Sequence, residues 1–179
     1  MSLRHMLALC FLTVALSPGG ALGKGAMPED LLKGRIIISD KRLPTSWTSV
    51  SSYVGQLKSS HKGTLWYDKK TNKVTIEYAA FFPKPINDVQ VDLVIYDVTS
   101  GRPERKSSTE QFMNRGDRVL FNSITFEKED FPMNRKYRLV IESRREALAS
   151  GEVVLRGEAE HYSGTVDFTD DEAKGKKPE

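Results

Sequence analysis

The chain has 179 residues, 27 Lys and Arg against 24 Asp and Glu, a formal charge of +3, and a single cysteine. Charges of both signs are interspersed, which excludes the basic stripe of a nucleic-acid binder. One cysteine excludes a disulfide framework and a thiolate metal cage.

Residues 1–23 read as an export signal. Arg4 supplies the positive start, residues 7–16 form a short apolar core, and Pro18, Gly19 and Gly20 break it before Ala21, Leu22 and Gly23. Small residues at 21 and 23 place cleavage after Gly23. The apolar run is about ten residues, half of what a bilayer crossing needs. Cys10 lies inside it after Leu9, where lipid attachment would want a small residue. Cleavage leaves 156 residues, one domain, with 26 basic and 24 acidic side chains and no cysteine. None of Asn72, Asn87, Asn114, Asn122 or Asn134 starts a glycosylation sequon. Both absences lean toward a bacterial periplasm or exterior. No second apolar segment approaches membrane length.

Residues 24–34 are expected to be a flexible polar leader. Arg35, Ile36, Ile37 and Ile38 form a short strand. Trp47, Val50, Val54, Leu57 and His61 recur at three and four, the stripe of one short helix ending before Gly63. From residue 64 the period becomes two. Thr64, Leu65, Trp66 and Tyr67 lead through a polar turn at 68–72 into Val74, Ile76, Tyr78, Ala80 and Phe82 on one face. Pro83 and Pro85 end that strand. Val89, Val91, Leu93 and Ile95 follow, with Val94 and Tyr96 making the second face apolar, so this strand is expected to be covered on both sides.

Residues 99–110 read as a long loop or ragged edge strand. A strand at 118–127 shows a phase slip near Asn122 and Ser123 that suggests a bulge. Further strands hold Tyr137, Leu139 and Ile141, then Val153 and Leu155, then Val166 and Phe168. The charged tail 170–179 has no apolar content and is expected to be disordered. Seven or eight short strands with turn signals between them predict an all-β sandwich over 35–169, with the strand and helix of 35–63 at its flank. The stretch Phe131-Pro132-Met133-Asn134-Arg135-Lys136-Tyr137 resembles the corner into the sixth strand of fibronectin type III and related immunoglobulin-like sandwiches. There a Tyr hydroxyl bonds back to upstream backbone. The Pro-to-Tyr spacing is one residue longer here.

Chemistry-bearing residues are few. After cleavage cysteine is gone and His61 and His161 are the histidines that remain, and no nucleophile elbow, phosphate loop or zinc spacing accompanies them. His61 reads as a helix-terminal imidazolium suited to the dipole, and His161 as a turn residue. Asp167, Asp170, Asp171 and Glu172 lack the spacing of a calcium loop and read as a solvated tail. Arg102, Arg105, Lys106, Arg115 and Arg118 form a basic loop face. Arg115-Gly116-Asp117 is an adhesion tripeptide and also ordinary turn chemistry. Trp66 and Tyr67 are candidate contacts, since adjacent strand residues point to opposite faces and one must look outward. Trp47 is expected in the core.

No catalytic residue, metal or cofactor is implied. The reading is an exported, non-catalytic envelope protein with a protein partner, contacted through Trp66, Tyr67, Arg115 and the 99–117 region. The alternatives are a carbohydrate-binding module using exposed aromatics, or a hydrolase with His61 or His161 in a cleft beside a carboxylate.

Overall fold

The computed structural model describes residues 25–157. The stretch read as an export signal, His161, the acidic tail and the strand expected around Val166 and Phe168 lie outside the described residues. Among the described residues there are eight strands: β1 (Arg35–Ser39), β2 (Thr64–Trp66), β3 (Lys73–Phe81), β4 (Gln90–Asp97), β5 (Glu104–Phe112), β6 (Val119–Glu127), β7 (Arg135–Ser143) and β8 (Glu146–Arg156). Two helices join them, α1 (Pro28–Leu31) and α2 (Val50–Ser60).

The strands form one curled sheet in the order β5-β4-β7-β8-β1-β3-β6, with β2 beside β8. Two antiparallel arms, β5-β4-β7-β8 and β1-β3-β6, meet at a single parallel pairing of Arg35 with Ser150. With β2 set aside, seven strands give an A-B-E arm facing a C′-C-F-G arm. That is the immunoglobulin-like sandwich, with its two sheets touching along one seam. Gly151 makes the seam possible: a Cβ there would lie 2.7 Å from the Ile36 carbonyl oxygen. The connection after α2 closes the rest of the gap. The Lys62 amide donates to Ile38 and the Val154 amide to the Gly63 carbonyl.

Period-two alternation builds the interior. Val74, Ile76, Tyr78, Ala80 and Phe82 from one arm meet Val91, Leu93, Ile95, Tyr137, Leu139 and Ile141 from the other. The tyrosine corner forms as expected. Tyr137 is buried and its hydroxyl donates to the Pro132 carbonyl at 3.0 Å. Asn134 takes a left-handed φ of 59°, which absorbs the extra residue between Pro132 and Tyr137. The adjacent Phe131 carbonyl accepts the Tyr67 hydroxyl at 2.6 Å. Two tyrosines thus hold consecutive carbonyls.

A second, smaller core lies on the far face of β1 and β3. Ile37, Ala79 and Phe81 pack there against Tyr53, Val54 and Leu57 of α2, with Leu32 and Leu43. This layer changes several expectations. The stretch 24–34 is not a loose leader from residue 28 onward: Pro28–Leu31 makes a helical turn and Leu32 is fully buried in the second core. Arg118 anchors it further through Asp30 at 2.8 Å. The helix starts at Val50, so Trp47 precedes it and is 41% exposed, stacked on Tyr53 rather than buried in a stripe.

The bulge expected near Asn122 and Ser123 is absent, since β3 and β6 pair without interruption from Lys73–Glu127 to Phe81–Val119. The phase slip arises because β6 is apolar on both sides for different reasons. Leu120 and Phe126 face the interior, while Val119 and Phe121 pack against the helix layer. The real irregularities fall at Ile95/Tyr96 and Ile141/Glu142. The strands covered on both faces are β1 and β3, and β4 has only its inner face against the main core. Its outer Val94 is nevertheless buried, paired across to Val140 of β7.

Candidate functional site

The residues 99–112 include an edge strand, β5, with an irregularity opposite Ile95 and Tyr96, whose side chains are mostly exposed. Among the described residues no strand pairs with its outer edge. Its last residue, Phe112, sits opposite Gln90 and is 71% exposed. Val89, one residue along, is 48% exposed and accepts the Met113 amide at 3.0 Å.

Charged groups lie beside Val89. Asp88 accepts the Ser143 hydroxyl and an Arg144 Nη2, both at 2.6 Å. Those bonds, with the nearby Arg144 and Arg115 charges, hold its carboxyl below the usual carboxylate range. Arg144 and Arg145 form the two-residue β7–β8 turn, both with positive φ (51° and 70°), where Asn and Gly are the usual occupants. Arg115 lies in the β5–β6 turn, where Gly116 (φ 89°) donates to the Ile86 carbonyl at 2.7 Å. The Asn114 amide group fixes Asp117 at 3.1 Å. One end of the molecule therefore carries Val89 with Asp88 and Arg144 beside it and the Arg115 charge near Asp88, while Phe112 projects from the outer face of the neighbouring β5.

The other two expected contact residues are elsewhere. Trp66 is 55% exposed on β2, level with Arg156. That places it at the opposite end of the sandwich, near the residues that close β4 and open β7. Tyr67 points inward and is buried, with burial raising its hydroxyl pKa, so it is no surface contact. The outward residue of the pair is Trp66.

His61 lines a crevice of about 350 Å³ at the seam, together with Arg35, Lys58, Ser150 and Glu152. A serine, a histidine and a carboxylate in one crevice invite a relay, but the bonding differs. The Ile38 amide donates to His61 Nδ1 at 3.2 Å, so the ring's proton sits on Nε2 and no lone pair remains to act as base. Glu152 is occupied by Arg138 at 2.7 Å and by Lys136. Burial, then the Arg35 charge, lowers the His61 pKa, which opposes the imidazolium expected at the helix end. No group of three or more His, Cys, Asp or Glu among the described residues could hold a metal ion. No described helix is long and apolar enough to cross a membrane.

No family model matches the chain, and no curated protein matches it. Among solved structures it is similar to an immunoglobulin-like protein from Pseudomonas aeruginosa, at 16% identity and a TM-score of 0.40, over 70% of this chain and 94% of that one. A β-glucosidase from Erythrobacter marinus aligns at 12% identity and a TM-score of 0.30, over 52% of this chain and 14% of the glucosidase. Neither likeness carries an argument about activity.

Phe112 and Val89 escaped the sequence reading. Val89 keeps the parity of the buried Val91 and Leu93 but lies just beyond the strand end. Phe112 follows a charged, serine-rich run whose alternation has no apolar partner to reveal it. The signal was Gln111: a buried polar residue bonded to Tyr78 and Asn122 fixes the parity of β5 and turns Phe112 outward.

Proposed function

We propose that the protein is an exported, non-catalytic component of a bacterial cell envelope, and that it holds a protein partner at the end bearing Phe112, Val89, Arg115 and Arg144. The observation that carries this is Phe112, 71% exposed at the end of a strand whose outer edge is unpaired among the described residues. A partner could extend the sheet there and cap the phenylalanine. The export signal read at 1–23 supports the compartment, and the absence of a usable base at His61 supports a role without chemistry.

Fractionation of cells carrying the tagged chain tests both halves. The expected protein begins near residue 24, leaves the cytosol, and elutes in a complex larger than the monomer. Phe112→Asp releases it as a monomer, whereas Ser123→Asp, on the opposite arm, does not. A wild-type chain recovered intact from the cytosol, or as a monomer, contradicts the proposal.

A further inference from the structure

A different surface has the makings of a ligand site. Ahead of α2, Trp47 stacks on Tyr53 with ring centroids 4.9 Å apart and planes 25° from parallel. Tyr53 is buried in the second core and its hydroxyl donates to the Pro44 carbonyl at 2.8 Å. The tryptophan is therefore backed on one side by a fixed ring while staying 41% exposed. Beside it opens a cavity of about 430 Å³ lined by Ser46, Thr48, Ser49, Ser52 and Gln56 with the two rings.

The chemistry of that lining is selective. It contains five neutral hydrogen-bonding side chains and no charged one. Four other cavities of the molecule each include a charged side chain: Lys58, Arg35, Asp88 and Arg42 are examples. Ser49 occupies the N-cap of α2, where a serine hydroxyl ordinarily binds a helix amide, yet its side chain makes no capping bond. Hydroxyl and amide groups both donate and accept, and an aromatic face accepts aliphatic C–H groups. A ligand matching all of this has an apolar ring face, many neutral hydroxyls and no charge. An apolar chain would leave most of these groups unmatched, and no Lys or Arg lines the cavity to neutralise a phosphate or carboxylate.

We infer that the shelf formed by Trp47, Ser46, Thr48, Ser49, Ser52 and Gln56 binds a neutral pyranose unit of a glycan. The sugar's C–H face lies on the indole and its hydroxyls meet the serine-rich rim. The site is separate from the Phe112 end, so a glycan and a protein partner do not compete.

The chain has two tryptophans, which makes the test direct. A Trp66→Phe background leaves Trp47 as the sole indole emitter. Cellohexaose, chitohexaose and maltohexaose are titrated to about 1 mM, a range that detects weak single-site binding. Polygalacturonate and heparin serve as charged controls. At least one neutral oligosaccharide is expected to shift the Trp47 emission saturably, and both charged polymers to leave it unchanged.

In a Trp66-containing chain, Trp47→Ala abolishes retention on the matching polysaccharide. Because Trp47 supports Tyr53, Ser46→Ala with Ser49→Ala provides a second variant. It should weaken binding roughly tenfold, as loss of one or two hydrogen bonds would, while melting like wild type. Phe112→Asp should bind sugar normally, so failure here is distinguishable from failure of the protein-partner reading. Silence from all three neutral oligosaccharides, a response only to the charged polymers, or full retention by Trp47→Ala overturns the inference.

Discussion

His61 shows how one side chain can secure a seam. Its Nδ1 accepts the Ile38 amide, and the next two residues stitch β1 to β8 through backbone bonds. The groups facing it are Arg35, Lys58 and Glu152, and the last is neutralised by Lys136 and Arg138. Burial, then Arg35, lowers its pKa from the ordinary 6.5. Below that value the unfolded chain takes up a proton that the folded chain resists, so stability is full above it and falls as the pH drops. The loss levels off once the folded ring is itself protonated.

Thermal melts between about pH 8 and pH 5 should therefore fall more steeply for wild type than for His61→Asn, whose Oδ1 can accept the same amide at any pH. Parallel curves would contradict this. Sequence placed His61 at the helix end but gave the wrong charge state, because its partner is a strand amide 23 residues upstream. The tyrosine corner was legible because Pro132 and Tyr137 are local to each other. The Tyr78–Gln111–Asn122 trio was not, since it joins three strands through polar side chains that no periodicity marks.

At the scale of elements, the strands on the main core were readable wherever one face alternated cleanly, as in β3 and β7. The helix layer was harder to see. It makes β1, β3 and β6 apolar on their outer sides as well, and that was mistaken for a bulge in β6. It also recruits Leu32 from a stretch with no other sign of order. The same layer explains why β4 only looked doubly covered: Val94 and Val140 shelter each other on an otherwise polar face. Leu57, fully buried between α2 and the sheet, should carry much of the attachment. Leu57→Ala is expected to cost about 3 kcal/mol in urea unfolding, the usual range for a buried leucine. Phe112→Ala should cost under about 0.5 kcal/mol, as exposed positions do. Equal losses would mean that Phe112 packs within the monomer and is not a contact awaiting a partner.

For the whole molecule, the two arms are chemically unequal. The A-B-E arm has its outer face covered by α2, α1 and the 40–49 segment, with the Trp47 shelf on that cover. The C′-C-F-G arm leaves its outer face and the β5 edge open, with Phe112 at the corner. The general architecture was readable because a sandwich writes itself into alternation and turns. Its working surfaces were not, because exposure depends on where strands end and on which face a neighbour covers. Alternation required one of Trp66 and Tyr67 to face outward without saying which; it is Trp66, and it and Arg115 lie at opposite ends and form no common site.

The central claim, that the Phe112 end is an occupied interface in the cell, is tested most directly by a photo-crosslinking residue placed at position 112 in the living producer, with position 123 as the control. The expected result is one discrete adduct to a single envelope protein from position 112 and none from 123. No adduct from position 112, or the same adducts from both positions, would contradict the claim.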